Sequence, residues 1–299
     1  MSVSDILVSI IVPTYNQSKY IAYTLESIKN QTYLTWECII VDDDSNDGTK
    51  ELVEAIIKDD SRFKYFHKKN EGVAAARNYG FSKARGKYVQ FLDSDDYLAK
   101  ERLQRCLEIM ENDSQIDLTI TSFRMFVNNI EDATDPFCDL SSYTLSFETV
   151  LLNWDRGIAF PPHSVFLKKE AVENVRFNEK TRYKEDWIYW IDVLKEKKNI
   201  YFLNEELAYY RMNPNGKHKK SIENFANVSN LIYQELNDHD KALFFDRMVQ
   251  ELTETKRKLQ ECSYYNDEKE VELTRLREKS KPFLKRVYVK IKKSIRKMF

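Results

Sequence analysis

The sequence predicts an α/β protein: a mostly parallel sheet flanked by helices, followed by a helical C-terminal extension. Three observations carry this expectation. Apolar runs of strand length alternate with amphipathic helical stretches over residues 6–120. Two of those runs end directly in aspartates, where alternating α/β sheets open their ligand crevice. Beyond Gly216 the chain becomes highly charged and helix-forming.

In order, Ile6 to Val12 reads as a strand buried on both faces, as parallel strands are. A helix follows, with Ile21, Leu25 and Ile28 on its inner face. Trp36 to Val41 is the next strand, and Leu52, Ile56 and Ile57 mark a second helix. Phe63 to Phe66 is a short strand, and Val73 to Ala84 a helix with Gly86 as its C-terminal stop. Tyr88 to Leu92 is a fourth strand, Leu103, Leu107 and Met110 mark a fourth helix, and Leu118 to Ile120 is a fifth strand. Such alternation implies right-handed βαβ units. Residues 122–165 are less regular and predict loops, a hairpin and a helix around Phe147 to Asn153. Tyr183 to Lys195 reads as a helix, and Ile200 to Leu203 and Ala208 to Tyr210 as two short strands. These elements place a catalytic domain at 1–217, divided near residue 120, and an extension at 218–299.

A chain of 299 residues can bury an ordinary core without disulfides or structural metal. The net charge of −1 argues against nucleic acid as a partner. Cys38, Cys106, Cys138 and Cys262 are widely spaced and read as core thiols of a reducing compartment. No apolar run reaches the roughly 20 residues of a membrane span. A cytoplasmic location is therefore expected.

Five clusters carry candidate chemistry. Asp42-Asp43-Asp44-Ser45 ends a strand, where acids accept hydrogen bonds from a nucleobase or ribose; Ser45 or Asp47 can also cap the next helix. The repulsion among three consecutive aspartates asks for an offsetting ligand or cation. Asp93-Ser94-Asp95 ends another strand and suits a hard cation that shares its shell with phosphates. Asn70 to Gly80 is a helix of small residues with Arg77, which can fix an acidic loop or a phosphate. Lys184-Glu185-Asp186-Trp187 offers acids beside an aromatic ring that either stacks on a sugar or enters the core. Tyr210-Arg211, with Lys217 and His218 beyond, offers cations for a diphosphate or a solvated basic loop.

Together these clusters resemble glycosyltransferase family 2, the inverting enzymes of GT-A fold with a Rossmann-like sheet. Val8 to Asn16 looks like the family's first strand and loop, Asp42 to Ser45 like its uridine-binding turn, and Asn70 to Gly80 like its helix signature. Asp93-Ser94-Asp95 matches its D-x-D and Glu185-Asp186 its late catalytic pair. The resemblance implies a UDP-sugar donor, with Pro13, Tyr15 and Asp43 at the base, and Arg77, Asp93 and Ser94 also on the nucleotide-sugar side. It implies Asp95 as ligand of Mn²⁺ or Mg²⁺, Asp186 as general base, and Glu185 and Trp187 on the side of a glycan or lipid-linked acceptor. Arg211 and His218 are candidates for the diphosphate. Asp44 departs from the family's usual small residue, and Asn213 stands where many members carry a His.

Residues 281–299 form a basic amphipathic pattern without acids, suited to an anionic membrane surface at the inner face of the cell membrane. Leu252, Leu259, Leu273 and Leu276 give a weak heptad and a possible homo-oligomer. Two rival functions remain. A metal-dependent nucleotidyltransferase would carry a glycine-rich first loop, but Pro13 to Gln17 has no glycine. A non-catalytic scaffold of the same fold would not need Asp95 and Asp186.

Overall fold

The computed structural model describes residues 6–181, 183–212 and 222–263. It divides into two compact units, Met1–Lys219 and Lys220–Phe299.

The first unit is built on one eight-stranded sheet, of order β3-β2-β1-β4-β7-β6-β8-β5. Toward one side of it lie β1 (Val8–Thr14) and β2 (Trp36–Asp42), every residue of which is buried. Their apolar runs are near-continuous because helices cover both faces. β3 (Phe63–His67) pairs parallel with β2, and β4 (Tyr88–Phe91) parallel with β1. Between them run α1 (Ile21–Lys29), α2 (Thr49–Ile57) and α3 (Val73–Lys83). Ile21, Leu25 and Ile28 are fully buried on α1, as their spacing predicts.

The second half of the sheet departs from simple alternation. β5 (Tyr97–Leu98), α4 (Arg102–Asn112), β6 (Leu118–Phe126), α5 (Phe147–Asn153), β7 (Val165–Lys168), α6 (Glu185–Leu194) and β8 (Ile200–Arg211) follow in order. β7 inserts antiparallel between β4 and β6, and β8 pairs parallel with β6. Two reversals restore the original direction. The C-terminal ends of β1, β2, β4, β6 and β8 therefore open on one edge of the sheet.

Three details differ from the sequence reading. β7 was not expected, since four residues give too short a pattern. The two short strands expected near residues 200–210 are one strand with register irregularities opposite Thr121 to Phe123. There the polar Glu205 and Glu206 pair with Arg105 and Arg124 instead of breaking the strand. Gly86 does not stop α3, which ends at an extended Ala84. A Cβ at Gly86 would lie 2.6 Å from Ser9 N and 2.7 Å from Leu7 O, so its need is close approach to β1. Gly80 has the same function within α3, where a Cβ would lie 2.4 Å from Ile11 Cγ2.

In the second unit, α7 (Ile222–Glu235) and α8 (Asp238–Ser263) are joined at Asn237. Asn237 Oδ1 accepts from Asp240 N at 2.9 Å, starting α8. No described helix is long and apolar enough to cross a membrane. Cys38, Cys106 and Cys138 are free thiols. His218, Asn213 and the basic stretch 281–299 lie outside the described residues.

Candidate active site

The loops after β1 and β2 are fastened to each other. Asn16 N donates to Ser45 Oγ, Gln17 N to Thr49 Oγ1, and Ser18 N to Asp47 Oδ2. Asp47 also accepts from Thr49 N. These bonds outweigh its burial and hold its carboxyl down at about 2. Pro13 is buried at the end of β1, beyond the residues paired with β4, while Tyr15 is 49% exposed.

The three consecutive aspartates do not need a ligand to offset their repulsion, contrary to the expectation above. Asp42 accepts from Ser45 N and the Tyr65 hydroxyl. Asp43 accepts from Lys68 Nζ at 2.9 Å, Glu71 N at 3.0 Å and Gly72 N at 2.7 Å, and is 2% exposed. Only Asp44 points to solvent, at a positive φ of 74° and 3.4 Å from His67. Asp43 therefore pins the segment that starts α3.

From α3, Arg77 reaches across the cleft. Its guanidinium donates to Asp93 Oδ1 at 2.7 Å and to Glu185 Oε1 at 3.0 Å, 108 residues away in sequence. Arg77 is 2% exposed, so this pairing is made in a poorly solvated place. It ties the acidic turn after β4 to the start of α6. Of the two readings open for Arg77, the acidic loop is the one observed.

Ser94 is buried in that turn, and Asp96, 2% exposed, anchors it. Asp96 accepts from Arg211 N at 2.7 Å, and its second oxygen lies 2.9 Å from His163 Nδ1. His163 is fully buried and lies under the Tyr210 ring. The Arg211 guanidinium donates to the carbonyls of Asp95, Val127 and Asn128 and packs between Tyr20 and Phe126. Expected at a diphosphate, Arg211 is 6% exposed and holds the backbone of the turn.

Asp95 has no such partners: among the described residues no other side chain donates to it. Burial, and then the charges of Asp96 and Asp93, push it up to about 8. Asp186 lies at the start of α6 and, among the described residues, accepts from Trp187 N alone, at 2.8 Å. Burial and the neighbouring Glu185 charge push it up to about 7. Tyr210 joins the two sides. Burial, with the charges of Asp96, Asp93, Asp95 and Asp186, raises its phenol far above the usual value. Through Arg77, bonded to both Asp93 and Glu185, the acids after β4 and those at the start of α6 are held together.

Trp187 is a correction. Its ring is 1% exposed, stacks on Trp154 and donates through Nε1 to Val150 O at 2.9 Å. It has no face for a sugar, because the apolar face of α6 needs it as core. His163 was missed in the sequence, where it follows two prolines and carries no motif. Asp96 directly follows the D-x-D and Tyr210 precedes Arg211, but nothing in the sequence signals their structural roles.

Among the described residues no three His, Cys, Asp or Glu side chains converge as a complete metal site. The donor set is one or two carboxylates of a single turn, with Asp93 already bonded to Arg77. That does not suit zinc, which takes three or four protein ligands. It fits Mg²⁺ or Mn²⁺, which keep waters and add substrate phosphates to one or two carboxylates. The unpartnered Asp95, strained by like charges, is the observation that favours a cation there.

Comparison with known proteins agrees with this geometry. The sequence profile described as Glycosyl transferase family 2 matches residues 9–176. A putative teichuronic acid biosynthesis glycosyltransferase of Bacillus subtilis, TuaG, is 35% identical over 210 residues, 69% of this chain and 79% of its own. An uncharacterized glycosyltransferase of Haemophilus influenzae is 33% identical over 213 residues, 69% of this chain and 79% of its own. Among solved structures, S. aureus TarS 1-349 in complex with UDP superimposes with TM-score 0.64 at 22% identity, covering 81% of this chain and 70% of TarS. The mannosyltransferase PcManGT of Pyrobaculum calidifontis, in complex with GDP-Man and Mn²⁺, gives 0.61 at 18% identity, covering 91% and 80%. With its sheet, its acidic turn and its sequence all in agreement, the chain belongs to glycosyl transferase family 2 and is a glycosyltransferase of GT-A fold.

Proposed function

We propose that this enzyme moves a sugar from a UDP-sugar to a hydroxyl of a glycan or lipid-linked acceptor, with inversion, during synthesis of a bacterial surface polysaccharide. The observation that carries this reading is Asp186: a mostly enclosed carboxyl raised to about 7, at the start of the helix that Arg77 ties to the acidic turn holding Asp95. A general base works best with a pKa near the working pH.

The nucleoside lies at the ends of β1 and β2, with Pro13 and Tyr15 at the base. Asp43 shapes that pocket by pinning residues 70–72, and Asp93 and Ser94 face the ribose side. Asp95 would hold a Mn²⁺ or Mg²⁺, which would supply positive charge beside the diphosphate. Asp186 takes the proton of the acceptor hydroxyl as its oxygen attacks the anomeric carbon. The bond from that carbon to the diphosphate oxygen breaks on the opposite face, and UDP leaves. Arg77 keeps Asp93 and Glu185 in register while this happens. UDP as the nucleotide is supported by TarS, and a surface polysaccharide by TuaG. The boundary of the catalytic domain near residue 217, and membrane attachment through residues 281–299, belong to the same proposal. Deleting 281–299 should abolish pelleting with anionic vesicles and spare UDP binding.

The test is UDP release from a panel of UDP-sugars with Mn²⁺. Asp95→Ala and Asp186→Asn should both abolish it. Release unchanged by both substitutions would end the proposal.

A further inference from the structure

Phe137 is an exposed phenylalanine, at 51%. An exposed ring without a polar tip is informative when the backbone beneath it is fastened. Here it is. Met125 and Thr134 exchange two backbone hydrogen bonds, at 3.0 and 2.7 Å, just before Phe137. Just after it, Cys138 Sγ lies 2.9 Å from Ala159 O as its donor. The ring itself packs on the buried Phe123 at 5.1 Å and meets Tyr210 edge-on at 6.4 Å. Tyr210 in turn lies over His163, the partner of Asp96 in the acidic turn. Phe137 is therefore an exposed ring on fastened backbone, and Tyr210 and His163 link it to Asp96 of the acidic turn.

Its side of the cleft follows from the sheet. The donor nucleotide belongs at β1 and β2. Phe137 follows β6, which lies beyond β4 and β7 but opens on the same edge. We propose that Phe137 is a specificity-determining residue that stacks on the C–H face of a hexopyranose ring of the acceptor, next to the sugar whose hydroxyl Asp186 deprotonates. This rests on the donor reading given above. A hexose offers an apolar C–H face about as wide as the ring, and aromatic side chains bind such faces with little ordering cost.

The experiment uses the full chain saturated with UDP and Mn²⁺ and titrated with a panel of methyl hexosides, with binding read by saturation-transfer NMR. Phe137→Leu and Phe137→Ala should weaken the best-bound hexoside by about threefold to tenfold. Phe137→Trp should retain it. UDP affinity and melting temperature should be the same in all four proteins. Full hexoside binding by Phe137→Leu, or no hexoside binding by the UDP-loaded wild type, overturns the proposal. Failure of the wild type to bind UDP at all is a separate result that removes the donor reading first.

Discussion

Asp42 and Asp43 at the end of β2 and Asp95 and Asp186 across the cleft are four aspartates at one edge of one sheet, yet the fold treats them oppositely. The β2 pair is answered by backbone N–H groups, Tyr65 and Lys68. The other two face like charges with almost no donors, and both are pushed upward, to about 8 and about 7. Acids that are fully bonded hold loops in place. Acids left short of partners are ready for a cation or a proton. Composition alone does not separate the two kinds; neighbours 23 to 29 residues away do.

The largest effect should come from Asp186→Asn, which removes the base and keeps the shape. A loss of about 100-fold to 10,000-fold in kcat is expected, with UDP affinity unchanged. Since Asp186 is raised to about 7, it is protonated below that pH and competent above it. The wild-type rate should therefore rise with pH through about 7, and a flat profile from pH 5 to 8 would contradict the contrast.

Arg77→Ala comes next. It strands Asp93 and Glu185 beside an emptied buried site, and should cost about 3–5 kcal/mol in a urea titration. A loss below 1 kcal/mol, on the order of a surface pair, would show that the bridge across the cleft is solvated.

Gly86→Ala probes the tightly packed side. Its Cβ would meet backbone atoms of β1, so a loss of about 1–3 kcal/mol with a lower melting temperature is expected. UDP affinity should fall only in step with folding.

The smallest effect has the opposite sign. Asp95 binds a proton more tightly folded than its ordinary carboxylate value of about 3.9 allows unfolded. Its contribution favours the metal-free fold at low pH and is lost as pH rises toward about 8. Asp95→Asn should then stabilise the metal-free protein by about 1 kcal/mol or more at pH 8, while abolishing the response of melting temperature to added Mn²⁺. A destabilised Asp95→Asn protein would place Asp95 with the structural acids of β2.

Much of the first half was legible in the sequence. β1, β2 and β4 announced themselves because strands buried on both faces must be continuously apolar, and α1 because Ile21, Leu25 and Ile28 repeat at helical spacing. The acids after β2 and after β4 lie at one edge of the sheet, as their place at the ends of parallel strands predicts. What stayed hidden depends on pairing between distant segments. β7 is four residues that become a strand only between β4 and β6. Glu205 and Glu206 looked like a break because their partners Arg105 and Arg124 belong to α4 and β6. Trp187 could serve a sugar or the core, and only the position of Trp154 decides.

The two hydrogen bonds from Glu71 N and Gly72 N to Asp43 have a consequence for charge at the cleft. In many α/β proteins the N-terminal pole of a helix is the cradle for a phosphate. Here Asp43 takes the N–H groups of Glu71 and Gly72, the two residues just before α3, and so places a carboxylate at its start. An anion arriving at this edge meets a helix start whose positive pole is already partly balanced by a carboxylate.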